Sequence, residues 1–353
     1  MSATTGPAVD LKSIRLLSRA ISAVENETGD YQNILASAYR APALSRVIGV
    51  TGPPGVGKST LVDALTEYWA KREDAVAVLA VDPSSPFSGG AVLGDRVRMD
   101  RSSALPGVYL RSVSARGEGG GLSAAICDIL ALLNEAGFPR ALLETVGAGQ
   151  SDIAVAEAAD CTLVVGAPGL GDHIQSSKAG MMEVGDIYVV NKADLPGANA
   201  TAAQVESALA VAYSGAAGVN FTDAHLASPH APQSAGRRAL VRRHGDPATD
   251  QSAWRPPVHL VNSTKAEGVE ALARSVDSFL DWCALTNRLT VKRSARFRAQ
   301  ILRELAQILL SPYRDGDKAE ALARWSARIA AGDTSPSEAA AALAIERVSN
   351  AQR

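Results

Sequence analysis

The chain has 353 residues, of which 46% are hydrophobic, and its formal net charge is −2. This length and apolar content suffice to bury one large core together with additional helices. The nearly balanced charge argues against nucleic acid or an anionic membrane as the main partner, because both attract strongly basic proteins.

The cysteines and the N-terminus indicate an intracellular protein. Cys127, Cys161 and Cys283 are widely separated, and the first two lie in apolar segments, so we expect reduced thiols. Residues 1–10 lack the basic and apolar regions of a signal peptide, and no stretch is long and apolar enough to span a bilayer. The sequence therefore predicts a cytoplasmic protein with no membrane partner.

The first predicted elements are helical. From Leu11 to Ala38 the apolar residues recur at helical spacing, which predicts two amphipathic helices. We assign them to an N-terminal helical extension over residues 1–40.

A complete glycine-rich phosphate-binding loop follows, between a β-branched strand at residues 46–51 and a helix at residues 60–70. Glycines allow successive backbone N–H groups to point at phosphate oxygens next to a helix N-terminus. We predict that Lys58 binds the β- and γ-phosphates and that the Ser59 hydroxyl ligates Mg²⁺. The predicted nucleotide-binding residues here are Gly52, Pro53, Pro54, Gly55, Val56, Gly57, Lys58, Ser59 and Thr60.

Two later strands end in a carboxylate. The strand at residues 77–81 is followed by Asp82, and the strand at residues 141–143 is followed by Glu144. Ligands collect at the carboxyl edge of a parallel sheet, so both side chains are predicted Mg²⁺ partners, Glu144 directly or through water. The alternative is a helix cap or a surface carboxylate. Gly147 is predicted to place its N–H against the γ-phosphate.

The glycine-rich stretch between those strands adds Asp95, Arg96 and Arg98. Their position alone leaves a role in the site and a role at the surface equally open.

The base-recognition pattern Asn191-Lys192-x-Asp194 ends a predicted strand at residues 187–190. The carboxylate of Asp194 can accept hydrogen bonds from N1–H and from the 2-amino group of guanine. Adenine offers neither donor and would leave the carboxylate unpaired, which is costly. A second base-contacting loop is predicted after the strand at residues 258–261, at Ser263, Thr264 and Lys265. The sequence therefore predicts GTP and GDP as ligands.

The remaining segments complete the predicted organisation. Alternating strands and helices over residues 41–285 predict an α/β fold, a doubly wound and mostly parallel sheet of the P-loop GTPase type. An irregular insert at about residues 214–254 is either a flexible flap or a folded subdomain. Residues 286–353 form a predicted helical arm, which is either a subunit contact or a cap on its own chain.

These motifs together resemble the methylmalonyl-CoA mutase-associated G-protein chaperones, the MeaB-type GTPases. They are also similar to sequences once described as arginine/ornithine transport kinases. The resemblance runs from about the N-terminal helix through the whole predicted GTPase core and, more weakly, into the C-terminal helices. Its most specific stretches are residues 81–86, 93–99, 144–151 and 168–172.

The resemblance implies roles for further residues. It implies that Asp82, Asp95 and Glu144 surround Mg²⁺. It also implies that residues 168–178 form a third switch loop facing a client mutase, with Asp172 and Lys178 at functional positions.

The resemblance further implies a GTPase that gates adenosylcobalamin loading and protects an adenosylcobalamin-dependent acyl-CoA mutase. The client would carry the cobalamin, a cobalamin adenosyltransferase would supply it, and the C-terminal arm would form a homodimer. Residues 173–175 and the loop at residues 111–121, which lacks the family's Arg-Pro pair, depart from the pattern. They leave open whether the client converts methylmalonyl-, isobutyryl-, 2-hydroxyisobutyryl- or ethylmalonyl-CoA. A GTP-dependent metallochaperone and a phosphotransferase are the alternatives.

The predicted reaction is in-line attack of water on GTP, driven by positioning and charge neutralisation. Ala148 stands where small signalling GTPases keep their water-orienting glutamine, so we predict slow intrinsic turnover that a partner stimulates. Gln150, Arg98 and Lys178 are the candidates that complete the site. The alternatives are a loop-stabilising amide for Gln150 and a solvated charge for Lys178.

Overall fold

The structure of the protein is a computed structural model. It describes residues 13–42, 45–72, 74–83, 101–115, 121–145, 155–169, 184–214, 253–314, 316 and 318–351. The chain divides into two compact units, Met1–Arg296 and Phe297–Arg353. The domain boundaries at residues 40 and 286 stay predictions.

The first unit is built on a seven-stranded sheet with the order β3-β2-β4-β1-β5-β6-β7, in which every described pairing is parallel. This confirms the predicted doubly wound α/β fold. The chain places β2, β3 and β4 on one side of β1 and the later strands on the other, so the sheet changes winding direction beside β1. The strands are β1 Arg46–Thr51, β2 Val76–Pro83, β3 Val108–Ala115, β4 Arg140–Thr145, β5 Cys161–Gly166, β6 Ile187–Asn191 and β7 Val258–Val261.

Helices cover both faces of this sheet. Alternate residues of a strand point to opposite faces, and accordingly Ile48 packs in the cluster around Trp69 and Phe279, whereas Val47 packs in the cluster around Leu17. Burial on both faces explains why the strands consist mainly of β-branched and aliphatic residues. The helices of this unit are α1 Ile14–Asn26, α2 Tyr31–Ala38, α3 Lys58–Ala70, α4 Gly121–Glu135, α5 Ala198–Ser214 and α6 Val269–Leu285; α7, Arg288–Arg314, begins here and continues into the second unit.

The predicted loop at residues 111–121 is partly wrong, because residues 111–115 belong to strand β3. On the helix-covered face of β3, Tyr109 and Val113 are buried. Arg111 lies between them and is paired with Glu25 of α1. This pairing compensates the charge, so an arginine can occupy an inward position of a strand. The sequence alone does not reveal that partner.

The predicted insert lies outside the described residues from 215 to 252, so its nature stays a prediction. Aromatic packing holds the C-terminal end of this segment in place. The Trp254 indole N–H donates to the Asp186 carbonyl at 2.9 Å, and its ring lies 5.0 Å from that of Phe279.

The second unit contains the remainder of α7, α8 Ala319–Ala330 and α9 Pro336–Ala351. Within it, the Tyr313 hydroxyl donates to the Leu343 carbonyl at 2.9 Å. Ile301, Leu302 and Leu305 are 65%, 56% and 48% exposed. No helix in the described part of the chain is both long enough and apolar enough to cross a membrane.

His259 makes the edge strand β7 sensitive to acid. Its ring is partly buried, its Nε2 atom has no hydrogen-bond partner among the residues that the structure describes, and burial lowers the pKa of the imidazole below its ordinary 6.5. The unfolded chain therefore takes up a proton near pH 6.5 that the folded chain resists. The stabilisation is complete above that pH and is lost as the pH falls.

We expect the free energy of unfolding to decrease from pH 7 to pH 5 more steeply in the wild type than in His259→Gln. A single proton limits the difference in slope to about 1.4 kcal/mol per pH unit. Urea titrations of both proteins over this range measure the slopes. Equal slopes would contradict the assignment.

Candidate functional site

The phosphate-binding loop connects β1 to α3, as the sequence predicts, and its glycines are required by its shape. Gly52, Gly55 and Gly57 have φ angles of 145°, 80° and 90°. A Cβ atom at Gly52 would lie 2.1 Å from the Val165 carbonyl oxygen, and one at Gly57 would lie 2.6 Å from Nδ2 of Asn191. Side chains at these positions would therefore force neighbouring strands away from the loop.

Lys58, the first residue of α3, directs its ammonium group into this loop. Its Nζ atom donates to the carbonyl oxygens of Gly52 at 2.8 Å and Pro53 at 3.0 Å, and the residue is only 6% exposed. A buried ammonium needs such acceptors. The loop thus holds a positive charge next to its own backbone and to the N-terminus of α3, an arrangement suited to binding phosphate.

Ser59 and Glu144 meet beside the loop. The Ser59 hydroxyl donates to Oε1 of Glu144, the penultimate residue of the neighbouring strand β4, which is 6% exposed. Hydroxyl and carboxylate oxygens are the ligands that Mg²⁺ prefers. The donor set present here therefore fits the predicted metal. The backbone of Asp82 lies at the carboxyl end of β2, next to β4.

Asn191, at the end of β6, joins two parts of the site that are distant in sequence. Its Nδ2 atom donates to the carbonyls of Val56 at 2.9 Å and Gly57 at 3.3 Å, and its Oδ1 atom accepts from the Ser263 hydroxyl at 2.7 Å. Asn191 is 2% exposed. It therefore fixes the distance between the phosphate-binding loop and the loop after β7.

The next residues of the same motif extend this arrangement. Lys192 has a left-handed φ of 56°, and its ammonium donates to the Gly55 carbonyl at 2.7 Å. Asp194 follows with an exposed side chain. The structure thus brings together the phosphate-binding loop, the base-recognition pattern and Ser263.

The loop after β7 is a closed turn. Asn262 and Glu267 exchange backbone hydrogen bonds of 3.0 and 3.1 Å, and the Lys265 N–H donates to Oδ1 of Asn262 at 3.2 Å. Gly268 ends the turn with φ 79°, where a Cβ atom would lie 2.4 Å from the Leu260 carbonyl oxygen. Ser263 and Thr264 are therefore presented by a rigid turn.

Three further residues next to the site are absent from the sequence prediction. Asp63 of α3, 4% exposed, accepts from the N–H of Ser102 at 3.0 Å and from its hydroxyl at 2.6 Å. The Arg101 guanidinium donates to the carbonyls of Ser263, at 3.4 Å, and Thr264. The signal in the sequence is Asp63 itself, a carboxylate one helical turn after Ser59.

The other predicted site residues await a structural test. The Asp82 side chain and the residues Asp95, Arg98, Gly147, Gln150, Asp172 and Lys178 lie outside what the structure describes. Their roles stay predictions.

Comparisons with known proteins agree with this geometry. The family model of the methylmalonyl-CoA mutase-associated GTPase MeaB matches residues 17–315. A Pyrococcus abyssi protein assigned as a GTPase is 37% identical over 287 residues, which cover 81% of this chain and 78% of that protein. The mitochondrial methylmalonic aciduria type A homolog of Caenorhabditis elegans is 40% identical over 148 residues, covering 42% of this chain and 37% of that protein.

Among solved structures, an LAO/AO transport system kinase aligns with a TM-score of 0.62 and 22% identity over 95% of this chain and 93% of that chain. This likeness supports the fold. The matched family model extends across the loop, the sheet and the base-recognition pattern described above. The chain therefore belongs to the family of methylmalonyl-CoA mutase-associated GTPases, MeaB.

Proposed function

We propose that the chain binds GTP and GDP and hydrolyses GTP. The observation that carries this proposal is the position of Asn191, which hydrogen-bonds both the phosphate-binding loop and Ser263. A phosphate site and a base site held at a fixed separation suit a nucleotide that binds to both. The family membership supports the same activity.

In this proposal each residue has a defined task. Lys58 exchanges its loop carbonyls for phosphate oxygens, and Ser59 and Glu144 hold Mg²⁺, with Asp82 and Asp95 as further candidates. Bound Mg²⁺ offsets the charge of the β- and γ-phosphates. The Asp194 carboxylate accepts hydrogen bonds from N1–H and from the 2-amino group of guanine. Ala148 stands where small signalling GTPases have a glutamine that orients the attacking water. We therefore propose slow turnover that a partner stimulates.

We further propose that this GTPase is a chaperone of an adenosylcobalamin-dependent acyl-CoA mutase. The family description supports this partner, and the methylmalonic aciduria homolog is one of its relatives. The cobalamin would be carried by the mutase and delivered by an adenosyltransferase. The exposed aliphatic residues Ile301, Leu302 and Leu305 of the second unit are consistent with a homodimer contact.

Lys58→Ala tests the nucleotide site. We expect the affinity for GDP in the presence of magnesium to fall about 10²–10³-fold, because two charge-assisted hydrogen bonds to phosphate are lost. Isothermal titration calorimetry measures the affinity. Lys71→Ala is the matched control, since Lys71 lies at the other end of the same helix and pairs with Glu67 at the surface. An unchanged affinity in Lys58→Ala would contradict the proposed site.

The partner is tested with purified adenosylcobalamin-dependent acyl-CoA mutases. The chain is loaded with GDP or with a non-hydrolysable GTP analogue, and complexes are detected by size-exclusion chromatography. We expect one mutase to form a complex that depends on the bound nucleotide and to increase the GTP hydrolysis rate. Absence of a complex in both nucleotide states would eliminate the chaperone role while leaving the GTPase activity intact.

A further inference from the structure

The hydrogen bonds around the candidate site form a closed circuit. The phosphate-binding loop leads into α3, and α3 holds Ser102 through Asp63. The neighbouring Arg101 donates to the carbonyls of the loop after β7. That loop is bonded through Ser263 to Asn191, which returns to the phosphate-binding loop. Arg101, like Asp63 and Ser102, lies outside the motifs identified in the sequence.

The backbone of Arg101 is anchored, so its side chain can restrict the position of the loop after β7. Its own N–H lies 3.4 Å from Oδ2 of Asp63, and Ser102, which follows it, is fully buried. Its backbone is therefore held on α3 while its side chain, exposed towards solvent, reaches the loop after β7. A planar guanidinium with several donors can engage two adjacent carbonyls at once, which a lysine cannot do with the same geometry.

The orientation of those carbonyls determines the orientation of the amides behind them. In a trans peptide the C=O and the following N–H point in opposite directions. With the Ser263 carbonyl turned towards Arg101, the Thr264 N–H points away from Arg101. Guanine carries an acceptor, O6, where adenine carries an amino donor. A fixed backbone N–H can therefore bind guanine and exclude adenine.

We propose that Arg101 is a positioning residue for guanine selection, which orients the Ser263 and Thr264 peptides so that the loop after β7 presents a donor to O6. The inference rests on the proposed GTP-binding function and adds a residue outside the base-recognition motif. Arg101 touches the loop, and it acts on the base only through the loop.

Arg101→Met tests this role, because methionine keeps an apolar stem and removes every donor. We expect the dissociation constant for GDP and the KM for GTP to rise about tenfold, with kcat within about twofold of the wild type. Inosine diphosphate, which keeps O6 and lacks the 2-amino group, should lose affinity by the same factor as GDP. Arg101→Lys retains one ammonium group as a donor. Its affinity for GDP should lie between those of the wild type and Arg101→Met.

The control is Arg274→Met, since Arg274 is a surface arginine that pairs with Glu270 on its own helix. It should bind GDP as the wild type does. An Arg101→Met protein with wild-type GDP affinity would overturn the inference and leave the proposed function standing. A loss of kcat at unchanged KM, or a nucleotide-free melting temperature lowered by more than about 4 °C, would indicate a catalytic or structural role and would also overturn it. A wild-type protein that binds no GDP would remove both proposals.

Discussion

Asp194→Asn is expected to change the preferred base from guanine to xanthine and to lower the affinity for GDP by about 10²–10³-fold. The carboxylate can accept two hydrogen bonds from guanine, and each hydrogen bond to a charged group contributes about 1.5–3 kcal/mol. Asparagine offers one acceptor and one donor, so its amide N–H₂ would face the 2-amino group of guanine. Xanthine has a carbonyl at that position, which can accept a hydrogen bond from the asparagine amide.

The measurement is a pair of titrations with guanosine and xanthosine diphosphates. The wild type should prefer guanosine diphosphate, and Asp194→Asn should reverse the preference. Because the Asp194 side chain is exposed, the substitution should leave the melting temperature of the nucleotide-free protein unchanged. If Asp194→Asn kept the guanine preference of the wild type, another residue would have to select the base.

Asp160→Ala is expected to destabilise the fold by about 3–5 kcal/mol, the range for removing one partner of a buried ion pair. Asp160 is fully buried and immediately precedes β5. It accepts from the backbone N–H of Val47 at 3.1 Å and from the Arg293 guanidinium at 2.6 Å, and Arg296 lies at 3.4 Å. Alanine would leave Arg293 with an uncompensated charge and Val47 with a buried, unpaired N–H.

The same cluster makes the stability of the fold depend on pH in the acidic range. Burial alone would raise the pKa of the Asp160 carboxyl, but the hydrogen bond from Arg293, the charges of Arg296 and Arg293, and the Val47 N–H together lower it below its ordinary 3.8. The unfolded chain therefore binds this proton first as the pH falls. The stabilisation is complete above pH 3.8 and is lost below it, as the pH approaches the lowered pKa.

Urea unfolding near neutral pH measures the cost of Asp160→Ala. Asp281→Ala is the control, because Asp281 is 59% exposed and pairs with Arg46 at the surface, where an ion pair contributes about 0–1 kcal/mol. Asp160 lies at the amino ends of the strands, whereas the proposed nucleotide site lies at their carboxyl ends, so folded Asp160→Ala should keep its GDP affinity. A cost below about 1 kcal/mol would contradict the buried-pair interpretation.

The success of the sequence prediction followed from local chemistry. The phosphate-binding loop is contiguous, and its glycines, its lysine and its serine are adjacent residues between a strand and a helix. The Asn-Lys-x-Asp pattern is equally local, at the end of β6. The sequence does not indicate a strand over residues 111–115, because the inward-facing Arg111 breaks the apolar alternation and the side chain that compensates it, Glu25, is far away in sequence.

Local patterns suffice to predict the phosphate-binding loop and the parallel sheet, because backbone conformation, hydrophobic period and short motifs depend on neighbouring residues. How the motifs are joined depends on the folded chain. Asn191 meets Val56 across 135 positions, and Arg101 meets Thr264 across 163. Such contacts depend on which strands become neighbours and how far each loop extends, and no local pattern encodes either. For that reason Asp63 and Arg101 emerge as parts of the site only in the folded chain.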